Sequence, residues 1–179
     1  GRVRMITVYD PAEGKIEGIV DVELQPGWVT YWRNPGEAGI PPMFDFSQSS
    51  GVSVEPPMFP VPTAKFGAGI TSIVYTKHVA FPFRALPVIS PLSGTLQLDM
   101  VIGVCEEICI PAIASFSQDL SKLNYSDLSS NALIKQAYEK IPSKNAEDPE
   151  DPFIVNAHWK TKSVVSIETR IPKSAVNIE

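Results

Sequence analysis

The protein has 179 residues, of which 44% are hydrophobic and 20% charged, and its formal net charge is −5. This composition is typical of one globular domain, or of one domain and part of another, and it excludes a chain that is disordered throughout. Because a basic excess or stripe is missing, no nucleic-acid partner is expected. The 17 prolines, about twice the usual share, argue against a mainly helical fold because proline interrupts helices.

The sequence predicts no direct insertion into a membrane. Residues 1–9 alternate like a strand and carry two arginines, without the apolar segment of a signal peptide. The most apolar window, residues 79–89, is interrupted by Pro82, Arg84 and Pro87. No run therefore approaches the ~18 apolar residues that a membrane-spanning helix needs.

Short strands separated by turn residues are predicted for the first two thirds of the chain. Residues 16–24 alternate and are predicted to be a half-buried strand. The proline-rich residues 56–62 are expected to run as an extended edge segment, and residues 67–69 as a flexible loop. This spacing of strands and turns indicates an antiparallel β-sandwich. The predicted strands cover residues 3–9, 16–24, 28–32, 43–46, 52–55, 72–75, 79–86, 94–101 and 114–120.

The pattern changes after residues 1–122, which are interpreted as the first domain. A helix is predicted over residues 128–141, because apolar residues share one helical face and Pro142 follows it. Residues 123–152 are interpreted as this helix and an acidic linker. Residues 153–179 alternate again, and they are interpreted either as the first strands of a second β-sandwich module, whole or truncated, or as strands that complete the first sandwich. The residues of the apolar helical face are Leu133, Ile134, Ala137, Tyr138 and Ile141.

The two cysteines, Cys105 and Cys109, lie four positions apart. In an extended strand such residues would be ~13 Å apart, whereas a disulfide needs Cα atoms within ~7 Å. Residues 106–108 are therefore predicted to form a tight turn, and a three-residue hairpin loop would make the cysteines a cross-strand pair. Because a bridge over so short a loop adds little stability, a reactive dithiol is favoured. A structural disulfide and half of a metal site are the alternatives.

Glu106 and Glu107 follow Cys105 directly and are candidate modulators of the cysteines. Neighbouring carboxylates disfavour a thiolate and are expected to raise the pKa of the thiols. The simpler interpretation is that both are solvated turn residues. The aromatic residues Trp28, Tyr31 and Trp32 are expected in the sandwich core.

Three segments together resemble one family, the periplasmic N-terminal domain of DsbD-type thiol:disulfide interchange proteins, and in particular its ScsB-like branch. They are PGWVTYWRNPGEAGIPP at residues 26–42, the stretch from FPVP to VAFP at residues 59–82, and GVCEEICIPA at residues 103–112. The resemblance covers roughly residues 1–122. The cysteines are separated by three residues here and by five in the best-known DsbD pattern, so the resemblance does not settle the choice of partner.

The resemblance implies an immunoglobulin-like β-sandwich in the periplasm, as a soluble domain of a bacterial inner-membrane protein. Such domains take electrons from a membrane-embedded partner domain and pass them to thioredoxin-like periplasmic proteins. The full-length protein would also carry a C-terminal thioredoxin-like domain. The ScsB-like branch adds an association with copper tolerance.

Carried over to this sequence, the resemblance makes Cys105 and Cys109 the redox pair, with Cys109 as the cysteine that bridges to the partner. Phe66 is the candidate for an aromatic cap over the cysteines, with simple packing at the sheet edge as the alternative. Tyr75 is a candidate neighbour of the cysteine loop, although the sandwich core is its default place. No cofactor besides the redox-active disulfide is expected. The alternative from another class is a copper(I)-binding module that uses the same two cysteines, since soft thiolates suit Cu(I). A non-catalytic sandwich with a structural disulfide is the third possibility.

Overall fold

The computed structural model describes residues 1–67, 69–123, 128–142, 153–162 and 164–170. Within these residues the chain is mainly β, with one α-helix, α1 (Leu128–Glu139), and a short 3-10 turn at Leu120–Lys122. The helix ends two residues before its predicted end. In chain order the strands are β1 (Arg2–Asp10), β2 (Lys15–Glu23), β3 (Val29–Gly36), β4 (Met43–Asp45), β5 (Val52–Val54), β6 (Thr63–Gly67), β7 (Ile70–Thr76), β8 (His78–Pro87), β9 (Thr95–Cys105), β10 (Cys109–Asp119), β11 (Phe153–Thr161) and β12 (Val164–Arg170).

Two antiparallel sheets form the sandwich. The first has the strand order β1-β2-β8-β5, and the second has the order β10-β9-β3-β7-β6, with β4 also paired to β9. Side chains from both sheets form one hydrophobic core between them. The prediction of a mainly β, immunoglobulin-like antiparallel sandwich is confirmed.

The main core follows from period-two alternation along the central strands. On β9, every second residue from Leu96 to Ile102 is buried, because successive side chains of a strand point to opposite faces. Phe81 and Phe83 of β8 meet them from the first sheet and are fully buried. Burying each such large side chain contributes about 1.5–3 kcal/mol.

Helix α1 covers the other face of the first sheet. Its residues Ile134 and Ala137 pack in one cluster with Val8, Ile19 and Ala80. Strand β2 is therefore buried on both faces. The sequence prediction that this strand is only half-buried is wrong, because a helix far along the chain supplies the second layer.

The edge near residues 56–76 differs in part from the prediction. Strand β6, which was not predicted, pairs with β7 in an antiparallel hairpin, and β7 starts two residues before its predicted start at residue 72. The predicted loop at residues 67–69 falls where β6 ends and β7 begins, and its middle residue lies outside the described residues. The proline-rich segment before β6 runs beside β8 as predicted, since Met58 N–H donates to the Pro82 carbonyl and Glu55 N–H donates to that of Arg84.

The chain divides into two units, Gly1–Ile141 and Pro142–Glu179. The first unit contains the sandwich and α1, and the described part of the second is the β11–β12 hairpin. The sequence-based boundaries at residues 122 and 152 stay predictions, as does the interpretation of residues 153–179 as part of a second module. In the described part of the chain, α1 is too short and too polar to cross a bilayer.

Candidate functional site

The two cysteines form the end of the β9–β10 hairpin. Cys105 is the last residue of β9 and Cys109 the first of β10, and they are paired directly across the strands. Their Cα atoms are 4.2 Å apart and their sulfurs form a disulfide, so the predicted three-residue loop at 106–108 is confirmed. Strand β10 starts earlier than predicted, despite Pro111, because it is an edge strand and an edge strand tolerates a missing N–H.

The disulfide lies on the face of the second sheet that turns away from the main core. Even-numbered residues of β9 point into that core, whereas Cys105 has the opposite parity. It belongs to a separate group of four buried residues, Val29, Tyr31, Val74 and Cys105, which we call the outer cluster. Val29 is the register partner of Cys105, and Tyr31 is the partner of Val74. The pairing of β3 with both neighbouring strands therefore assembles this cluster.

The Tyr31 hydroxyl contacts both sulfurs. It donates a hydrogen bond to Cys105 Sγ at 2.9 Å and lies 3.1 Å from Cys109 Sγ. The side chain is buried, and burial raises the pKa of the Tyr31 phenol. The phenol therefore stays protonated at neutral pH and acts as a hydrogen-bond donor.

Two glycines make room for the Tyr31 ring. Gly39 has φ +130°, and a Cβ there would lie 2.3 Å from a ring carbon of Tyr31. A Cβ on Gly103 would lie 3.2 Å from the same ring and 2.7 Å from Ile40. The ring is thus enclosed by backbone on both sides, which fixes the position of its hydroxyl.

The two cysteines differ in exposure. Cys105 is 4% exposed, whereas Cys109 is exposed to solvent. The apolar side chains on either side of Cys109 are exposed as well, Ile108 by 75% and Ile110 by 47%. Of the two cysteines, Cys109 is therefore the one that is open to solvent, and Cys105 is shielded from it.

An open groove of about 180 Å³ runs beside the disulfide. The β6–β7 hairpin contributes Lys65, Ile70 and Ser72 to its lining, and the cysteine loop contributes Glu106 and Glu107. The groove therefore combines one cation, two carboxylates and several apolar side chains next to the exposed cysteine.

The structure does not place Phe66 over the disulfide. Lys65 and Gly67 line the groove, and Phe66 lies between them on the alternate face of β6. Its side chain is 78% exposed. The apolar side chains that this hairpin presents to the groove are those of Ile70 and Val74, of which Val74 is buried in the outer cluster.

The remaining predicted modulators separate into two groups. Glu106 and Glu107 lie at the groove, and the Glu106 carboxylate lies against Gly27, where a Cβ would be 2.5 Å from Oε1. Tyr75 belongs to the main core, and its hydroxyl donates to the Pro60 carbonyl at 2.8 Å. It therefore lies on the opposite face of β7 from the outer cluster.

Among the described residues, no group of three or more histidine, cysteine, aspartate or glutamate side chains is arranged to hold a metal ion. The two cysteines would supply two thiolate ligands when reduced. The expectation that the site needs no cofactor besides its disulfide stays a prediction.

The fold and the site together define a class of protein: an immunoglobulin-like sandwich that carries a cysteine pair at the tip of a hairpin. The family model described as "Thiol:disulfide interchange protein DsbD, N-terminal" matches residues 4–121, and this chain belongs to that family. No curated relative matches the chain.

A solved structure, the N-terminal periplasmic domain of ScsB from Proteus mirabilis, is similar to this chain with a TM-score of 0.61 and 30% sequence identity. The similarity covers 80% of this chain and 55% of that one, so the chain matches little more than half of the length of that periplasmic domain. The resemblance to DsbD-type domains of the ScsB-like branch is confirmed.

The sequence prediction missed the place of Tyr31, which was expected in the core, and it did not single out Lys65 or Ile70. The alternation in residues 28–32 does put Val29 and Tyr31 on the same face of a strand. That signal shows a shared face, but it does not show which face carries the cysteines.

Proposed function

We propose that this domain exchanges disulfides with other proteins in the periplasm and relays electrons through Cys105 and Cys109. In this proposal a membrane-embedded domain of the full-length protein supplies the electrons, and thioredoxin-like periplasmic proteins, or a C-terminal thioredoxin-like domain, receive them. The association of the ScsB-like branch with copper tolerance belongs to the same proposal. The observation that carries it is a hairpin disulfide between one buried and one exposed cysteine.

The difference in exposure supports Cys109 as the cysteine that bridges to the partner. A partner thiolate attacks Cys109 Sγ, a bond forms between the two sulfurs, and the Cys105–Cys109 bond breaks. The electron pair of that bond stays on Cys105 Sγ, which becomes a thiolate. A second partner thiolate then attacks the partner's sulfur in the mixed disulfide and releases Cys109, which leaves this domain reduced and the partner oxidised.

Electrons leave the reduced domain by the reverse order of events. The Cys109 thiolate attacks the disulfide of an acceptor, and the Cys105 thiolate resolves the mixed disulfide. A bridge that closes so short a loop adds little to the stability of the fold, which also favours a reactive role over a structural one.

The first test is the reduction potential of the pair, measured by thiol labelling across a dithiol redox buffer series. A value within the range of exchange proteins, roughly −120 to −270 mV, is expected. A value below about −300 mV would make the disulfide structural and overturn the proposal. Cu(I) binding by the reduced protein that is tighter than that of a simple dithiol would favour the copper-binding alternative instead.

The second test assigns the bridging cysteine. Cys105→Ser and Cys109→Ser variants are incubated with a thioredoxin-fold protein in which the resolving cysteine is replaced by serine and the nucleophilic cysteine is activated as a mixed disulfide with a small aromatic thiol. We expect Cys105→Ser to accumulate the covalent complex and Cys109→Ser to form much less of it. The opposite result would assign the bridging role to Cys105, and no complex with either variant would count against this class of partner.

A further inference from the structure

The buried sulfur creates a chemical problem for the exchange reaction. When a partner attacks Cys109, the negative charge develops on Cys105, which is 4% exposed and lies in a cluster with Val29 and Val74. Burial in apolar surroundings disfavours a thiolate, as it disfavours any charged group without a hydrogen-bond donor. The leaving sulfur therefore needs a donor inside the protein.

We propose that the Tyr31 hydroxyl is this donor and stabilises the thiolate that forms on Cys105. The proposal rests on the thiol–disulfide exchange proposed above and adds a catalytic residue to it. The hydroxyl already donates to Cys105 Sγ at 2.9 Å while the disulfide is intact. It also lies 3.1 Å from Cys109 Sγ, so it borders both reacting atoms.

The donor is fixed before the reaction starts. Gly39 and Gly103 leave room for the ring and no room for added side chains, so the hydroxyl is held at the sulfurs by the surrounding backbone. A donor that is already in position does not have to reorganise as charge develops on the leaving atom. The hydrogen bond strengthens when its acceptor changes from a disulfide sulfur to a thiolate, because the acceptor becomes charged.

The hydrogen bond from Tyr31 does not change which bonds form and break in the attack on Cys109. The partner thiolate contributes the pair that forms the new bond to Cys109, and the pair of the broken bond moves to Cys105. The Tyr31 proton stays on the phenol and only its hydrogen bond becomes stronger. In the reverse direction the same contact keeps Cys105 ionised, so that it can attack the mixed disulfide.

Tyr31→Phe tests the proposal because it removes the hydroxyl and keeps the ring. The ionisation of Cys105 is followed by ultraviolet thiolate absorbance in a Cys109→Ser background, with and without Tyr31→Phe. A hydrogen bond to a charged group changes an equilibrium constant by a factor of about 10 to 100, so its loss should raise the Cys105 pKa by about one to two units. In the two-cysteine protein, Tyr31→Phe should slow reduction by a small dithiol by about 10- to 100-fold.

Tyr138→Phe is the matched control. Its hydroxyl donates to the Phe83 carbonyl at 2.9 Å on the helix-covered face of the first sheet, so it also loses one hydrogen bond of a partly buried tyrosine. The control should leave the Cys105 pKa and the reduction rate unchanged. Equal effects of the two substitutions would assign Tyr31 a structural role and overturn the proposal.

A second measurement keeps Tyr31 in place and so does not depend on how well the Tyr31→Phe variant folds. In reduced Cys109→Ser protein, the near-ultraviolet absorbance of tyrosine should change together with the thiolate absorbance as Cys105 ionises, because the phenol donates to the charge. The change should disappear when Cys105 is also replaced by serine. If Cys105 ionises without a tyrosine signal, the proposal is wrong, whereas a normal reduction potential and partner trapping would leave the proposed exchange function intact.

Discussion

The main core and the outer cluster share strands β7 and β9, but they differ in how far they are closed off from solvent. Fourteen of the described residues form the main core, and both sheets close over it. The outer cluster has four, and it borders an open groove. On β7 the neighbours Val74 and Tyr75 belong one to each region. Stability and reactivity can therefore be changed separately, by substitutions on opposite faces of a single strand.

The largest effect on stability is expected from Phe83→Ala. Phe83 is fully buried in the main core, and loss of such a ring costs about 3–5 kcal/mol of the free energy of unfolding. Urea unfolding measures the loss, with Leu86→Ala on the same strand as the control. Leu86 is 48% exposed, so its truncation should cost below about 1 kcal/mol. The reduction potential should stay at the wild-type value, and a large change in it would show that the two regions are coupled.

Gly39→Ala is directed at the outer cluster. The new methyl group would meet the Tyr31 ring, and we expect a loss of about 1–3 kcal/mol from overpacking, in addition to the backbone strain at positive φ. The displaced hydroxyl should also slow reduction of the disulfide. Gly14→Ala is the control, because Gly14 has φ +62° and nothing within 4 Å of a Cβ. Equal losses in the two variants would mean that Gly39 serves the backbone turn alone.

The cysteine hairpin could be predicted from the sequence because it is local. An extended strand would hold the two cysteines farther apart than a disulfide can reach, so a turn was expected at residues 106–108. The sandwich followed in the same way from short alternating strands. The contact of Tyr31 with Cys105 is different, because it depends on the register of β3 against β9, which pairs residues 76 positions apart. Alternation within one strand carries no information on that register.

Two further errors have related causes. The second buried face of β2 depends on α1, which the sequence pattern predicts as a helix without showing where it packs. Strand β6 was not predicted, so the alternation that puts Lys65 and Phe66 on opposite faces was not used. Once β6 is known to be a strand, its residues can be assigned to alternate faces, because successive side chains point to opposite sides of a sheet.

A pH-dependent contribution to stability is expected from the first sheet, away from the disulfide. Asp21 is buried. Its Oδ1 lies 2.5 Å from His78 Nε2, and its Oδ2 lies 2.6 Å from Arg4 Nη2. Burial alone would raise the pKa of Asp21, but hydrogen bonds from His78 and Arg4 outweigh burial and hold the pKa below its usual range. Its contribution should therefore be fully present above about pH 4 and be lost as the pH falls further.

Asp21→Asn tests this contribution. The free energy of unfolding at neutral pH should fall by about 1–3 kcal/mol, and the difference from the wild type should shrink in acid. Glu23→Gln is the control, because the Arg2–Glu23 pair is exposed on both sides and should contribute below about 1 kcal/mol. A difference that stays constant down to acid pH would contradict the role of the Asp21 carboxylate. The reduction potential of the disulfide should be the same in both variants as in the wild type.

The smallest effects on stability are expected at the β6–β7 hairpin, where two apolar residues point to opposite faces. Phe66 is 78% exposed and does not line the groove, so Phe66→Ala should change the free energy of unfolding by about 0.5 kcal/mol or less and leave reduction by a small thiol unaltered. Ile70 lines the groove beside the disulfide, and Ile70→Ala should speed that reduction by removing cover. If Phe66→Ala gives the larger acceleration, the hairpin rearranges in solution so that Phe66 caps the cysteines.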